Sequence, residues 1–111
     1  MKITEKHDVY SFGVVILEVL QGRHPGELIS AWPSDQSVLL KDLLDPRIPL
    51  PTLEESNAVM LAAKLALQCI SINPQSRPSM QHISQALDAG KVEATRQPFH
   101  TVQLHQLMRF T

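Results

Sequence analysis

Apolar side chains run almost unbroken from Val9 to Leu20, with only Ser11, Gly13 and Glu18 among them. The run falls short of the ~18–20 apolar residues that a membrane span needs. It exceeds the ~4–8 residues of a buried strand. Glu18 favours a helix, Asp8 stands where a carboxylate suits the positive end of a helix dipole, and Gly22 follows the run as a glycine follows a helix C-terminus. The pattern predicts a helix over 8–21 that is apolar nearly all round, a central post covered on several sides. Val and Ile lower its intrinsic propensity, so packing has to hold it, and Gly13 weakens it by about 1 kcal/mol relative to Ala. Close approach by another backbone is one reason to carry a glycine there.

Further along, "RHPGELISAWPSDQS" reads as loop with one turn at "ELISAW". Leu40, Leu43 and Leu44 repeat at i, i+3, i+4 and predict a short amphipathic helix over 37–44. The prolines of "PRIPLPT" remove donors and fix φ, so that stretch is irregular. Residues 56–70 carry one narrow polar stripe, Asn57, Lys64 and Gln68, on an otherwise apolar helix that is buried over most of its circumference. "SINPQSR" is a turn. Pro78 near the first helical position and Gly90 just past the end bracket a helix over 79–89, with Met80, Ile83 and Leu87 as its apolar stripe. Residues 91–111 are weakly patterned and read as a tail, with helix near 101–109. The expected content is about four helices with little or no strand, an all-α unit.

With 111 residues, of which 43% are hydrophobic, the chain suits one small domain. A net charge of −1 offers no electrostatic grip on nucleic acid or an acidic membrane. The lone cysteine, Cys69, excludes an internal disulfide and fits a buried thiol in a reducing compartment. Residues 1–8 are charged and polar, with no secretory h-region ahead of them. A helix-turn-helix reading over 56–89 fails because the second helix offers Gln81, His82 and Gln85 but no Lys or Arg. Of the five histidines, His100 and His105 are off the i, i+4 spacing of one helical face, and nothing completes a metal ligand set at zinc-finger spacing. No G-x-S-x-G nucleophile elbow occurs.

Two charges stand out. Asp8 at a helix head is either a surface cap favoured by the dipole or a buried carboxylate taking backbone N–H donors from another segment. Arg77 in "NPQSRPSM" lies just before a helix start, the wrong side of the dipole for a cation. It is either an exposed turn residue or half of a buried ion pair.

Taken together, "TEKHDVYSFGVV", "GRHPGELI" and "ALQCISINPQSRPSM" resemble the C-terminal part of a eukaryotic protein kinase domain. More narrowly, they resemble plant leucine-rich-repeat receptor-like serine/threonine kinases. The resemblance covers roughly 1–90, a partial kinase domain made of large-lobe helices, and leaves 91–111 as a C-terminal tail. It implies that the first helix is the post of the large lobe. It also implies that Asp8 hydrogen-bonds the catalytic-loop backbone and that Arg77 pairs with the glutamate closing the activation segment. Asp8, Gly13, Arg77 and Pro78 are then structural anchors, not catalytic residues.

Phosphoryl transfer in that family uses ATP and Mg, a Gly-rich loop, a strand lysine, the base of H-R-D and the metal ligand of D-F-G. None of these strings occurs, and the four glycines make no G-x-G-x-x-G. The expectation is therefore no catalytic, cofactor-binding or metal site. The chain reads as a truncated kinase, from an internal start at Met1, a partial gene copy or an incomplete gene model. It is expected to be inactive alone and cytoplasmic, whereas a parent of this family is membrane-anchored with this part facing the cytosol. The alternative is a non-catalytic module or decoy that binds kinases or their partners. Direct membrane contact is not expected, and self-association through exposed apolar surface is.

Overall fold

Two long helices make the frame. In the computed structural model, which describes residues 5–32, 38–89 and 98–108, α1 (Glu5–Gln21) packs along α4 (Leu53–Cys69). Shorter helices surround them: α2 (Gly26–Ala31), α3 (Leu40–Leu43), α5 (Met80–Ala89) and α6 (Leu104–Leu107), with 3-10 turns at Pro74–Ser76 and Phe99–Thr101. Among the described residues there is no strand, only an isolated antiparallel bridge between Leu39 and Gln103. The described residues therefore form the expected all-α unit. No helix among the described residues is long and apolar enough to cross a membrane.

Helix α1 begins at Glu5, ahead of the expected start, and ends as anticipated: Gly22 takes φ 71° and its N–H donates to the Glu18 carbonyl at 2.8 Å. Its buried residues are Val9, Gly13 and Leu17, one face at a spacing of four. The opposite side is open, with Val15 54% and Val19 72% exposed. So α1 is covered on one side, not several.

The post is α4. Met60, Ala63, Ala66 and Leu67 face one apolar cluster, shared with Leu17, Leu40 and Leu43. Leu61, Leu65 and Cys69 face a second, shared with Val9 and Ile83. Helix α4 also starts earlier than 56, because Thr52 caps it. The Thr52 hydroxyl accepts from the Glu55 N–H at 3.3 Å, and Glu55 Oε1 accepts from the Thr52 N–H at 2.8 Å. This is a reciprocal capping box.

Other boundaries shift for tertiary reasons. The helix expected over 37–44 is regular only from Leu40 to Leu43. Leu39 is extended and bridges Gln103, which takes its backbone away from the helix; Ser37 lies outside the described residues. On α5 only Ile83 of the expected stripe is buried, whereas Met80 and Leu87 remain 38% and 48% exposed. Residues 98–108, read as tail, pack into the first cluster through Val102, Leu104 and Leu107. Three apolar positions spaced i, i+2, i+5 fit neither a helical nor a strand period, so periodicity could not show them.

Candidate functional site

Arg77 is where the two ends of the family resemblance meet. It follows the Pro74–Ser76 turn, half-buried, and its guanidinium reaches back to the start of α1. Nε donates to the Ser71 carbonyl at 2.8 Å and Nη1 to the Lys6 carbonyl at 3.0 Å. The guanidinium lies over the Tyr10 ring, 4.8 Å from its centroid, a cation–π arrangement. Lys6 answers with an Nζ donation to the Arg77 carbonyl at 2.6 Å. Glu5 Oε1 accepts from the Met80 N–H at 2.8 Å, so α1 also caps the first turn of α5. Hydrogen bonds from charged donors are worth about 1.5–3 kcal/mol each, so this clasp ranks with the apolar contacts in fixing α1 against the turn. Among the described residues, two carbonyls and an aromatic face hold Arg77, and no carboxylate pairs with it.

The other residues expected as anchors, Asp8, Gly13 and Pro78, stand apart from that clasp. Asp8 lies in the first turn of α1, exposed, with no hydrogen bond or ion pair to another described residue. Gly13 sits at the α1–α4 crossing. A Cβ there would meet Cys69 Cβ at 2.6 Å, the Ala66 carbonyl oxygen at 3.0 Å and Ile70 Cγ2 at 3.1 Å. Pro78 is half-buried beside Gln68, Ser79 and His82. Burial pushes the Cys69 thiol up to about 11, against the opposing pull of the Arg77 charge, so it is a packing residue and not a nucleophile.

A second polar knot closes the far end of α1. The Asp45 N–H donates to the Leu20 carbonyl at 2.8 Å, and the buried Asp45 carboxylate takes Arg47 Nη2 at 2.7 Å, Nε at 3.0 Å and the Arg47 N–H at 2.9 Å. Arg47 holds the carboxyl well down, at about 2, through the side-chain bonds first and the backbone bond second. A Cβ on Gly22 would collide with this carboxylate, so Gly22 is required twice, for its φ and for the space. Beside the knot lies an open groove of about 920 Å³ lined by Val19, Leu20, Leu43, Ile48, Leu50 and Val59, among others. Sequence reading missed the knot, whose members look like ordinary loop charges. It also missed Lys6, Tyr10 and Ser71 as Arg77 partners.

Among the described residues, no three His, Cys, Asp or Glu side chains come together as a ligand set.

A family model, protein tyrosine and serine/threonine kinase, matches residues 1–87. The chain belongs to this kinase family. The curated relatives it matches include plant receptor-like kinases. MDIS1-interacting receptor like kinase 2 of Arabidopsis thaliana is 49% identical over 89 residues, covering 78% of this chain and 8% of the relative. A probable leucine-rich repeat receptor-like protein kinase of the same plant is 43% identical over 86 residues, covering 76% of the chain and 8% of the relative. The LRR receptor-like serine/threonine-protein kinase RGI1, also from Arabidopsis thaliana, is 37% identical over 100 residues, 84% of the chain and 9% of the relative. The chain thus spans less than a tenth of these relatives' length. No solved structure matches it. Within the kinase match lie the whole of α1 and α4, the Arg77 clasp and the Asp45–Arg47 knot.

Proposed function

We propose that this chain supplies part of the large lobe of a receptor-like serine/threonine kinase and that it does not transfer phosphate by itself. One observation carries the reading. The kinase match covers 1–87, and within it Arg77 is spent on carbonyls, Asp45 on Arg47 and Glu55 on a helix cap. The family uses ATP and Mg, and the described residues do not fit either. The groove beside the knot is mainly apolar, and Asp45, its buried carboxylate, is already saturated by Arg47. Phosphoryl transfer is mostly positioning and charge stabilisation around the phosphates, and that requires parts these residues do not provide. In this reading Asp8 is a latent anchor, exposed here and satisfied by catalytic-loop amides when the rest of such a domain is present. In this reading a membrane-anchored parent carries this part on its cytosolic side.

A second reading is a non-catalytic module or decoy that binds kinases or their partners. The observation favouring it is the open groove beside Val19, with Ile48 and Leu50 more than half exposed. The deciding experiment supplies the purified 111-residue chain with labelled ATP and Mg, alone and with a basic acceptor protein. The expected result is no incorporation above the blank. Metal-dependent incorporation that co-purifies with the chain would overturn the proposal.

A further inference from the structure

The kinase match ends at residue 87, yet residues 98–108 lie in the core. Their seat is specific. The Leu40 N–H donates to the Val102 carbonyl and the Leu104 N–H to the Val38 carbonyl, both at 2.8 Å, so Leu39 and Gln103 face each other across a two-bond antiparallel bridge. Val102, Leu104 and Leu107 are at most 1% exposed and share the cluster of Leu40, Met60 and Leu67. Gln103 then caps α6, exchanging bonds with Gln106, which fixes the turn that points Leu107 inward. Val102 and Gln103 are extended between two helical turns, so the segment meets the frame through one backbone bridge and otherwise through its apolar side chains.

We propose that residues 98–108 are a releasable strap, the resident occupant of an apolar groove formed by 38–40 and α4. The strap is held at one backbone bridge and by the buried Val102, Leu104 and Leu107, whereas α1 lies along the whole of α4 and is tied at one end by the Arg77 clasp and at the other by the bond from the Asp45 N–H to the Leu20 carbonyl. The strap therefore opens while the frame stays closed, and opening uncovers Leu40 and the α4 face beneath it. The α4 side of the groove belongs to the kinase match, and the strap lies beyond it.

Amide hydrogen exchange on the intact chain tests this residue by residue. The Leu40 and Leu104 amides are expected to be protected, yet to exchange at least about tenfold faster than core amides such as those of Leu17 and Leu67. Unprotected Leu40 and Leu104 amides would mean that the strap is not seated. Exchange at the core rate would mean that it cannot open separately. Either result overturns the proposal. In a Leu104→Asp chain, protection at Leu40 is expected to vanish while α1 and α4 keep theirs. A synthetic peptide of residues 98–108 added in excess should restore it. Global loss of protection in the variant, or no restoration by the peptide, would also overturn the proposal.

Discussion

Gly13 shows how one missing side chain fixes the distance between two helices. Alanine is the better helix former by about 1 kcal/mol, so an isolated α1 would gain from Gly13→Ala. In the fold the added methyl would meet Cys69 Cβ at 2.6 Å and the Ala66 carbonyl oxygen at 3.0 Å, and a backbone atom cannot step aside as a side chain can. Overpacking typically costs about 1–3 kcal/mol, and with two contacts this close it outweighs the propensity gain. Gly13→Ala is therefore expected to lower the denaturation midpoint; an unchanged or raised midpoint in chemical unfolding would contradict the crossing geometry. The glycine was legible, because a helix-breaking residue inside a strong apolar run asks for a reason, and close backbone approach was the reason suggested. Arg77 was less legible. Its oddity against the helix dipole is local, but its partners at Lys6 and Tyr10 lie far away along the chain, and no spacing rule reaches them.

Among the elements, α4 is enclosed as its narrow polar stripe implied, whereas α1 is not the post covered on several sides that its pattern implied. Both are mostly apolar, so period alone could not say that α1 would stay open on one side. Helix α4 turns Ala63 and Ala66 to the first cluster and Leu61, Leu65 and Cys69 to the second, whereas α1 keeps Val15 and Val19 in water. The start of α4 was readable in principle, since "TLEE" holds a T-x-x-E capping signal. The Asp45–Arg47 knot was not, because its meaning lies in its bond to Leu20 at the end of α1. The folded-state pKa of Asp45 falls from 3.8 to about 2, so the carboxylate stabilises the fold when ionised. The contribution is complete well above 3.8 and is lost as pH falls through about 2. Asp45→Asn should thus be less stable than the parent at neutral pH, with the difference closing across this acid window. Urea titrations of both chains at stepped pH would check it, and a pH-independent difference would mean that the knot is not ionic.

For the whole molecule, the decisive feature is how much apolar surface stays uncovered once the frame is built. Val15, Val19, Ile48, Leu50, Leu53 and Ile72 are all more than half exposed, and Val19, Ile48 and Leu50 line one groove. Scattered exposed aliphatics are ordinary, but a contiguous lining is the kind of surface that buries itself against another molecule. The chain is therefore expected to associate with itself as concentration rises. Val19→Asp separates this from instability, because a side chain 72% exposed adds little to folding and its replacement should change stability by only about 0.5 kcal/mol. Sedimentation velocity across a concentration series should show the parent shifting to larger species and the variant shifting less, at equal thermal midpoints. If both chains stay monomeric, the groove is too shallow to drive association. If both associate alike, the contact lies elsewhere, and the strap over Leu40 becomes the surface to examine, because its opening exposes the other large apolar face.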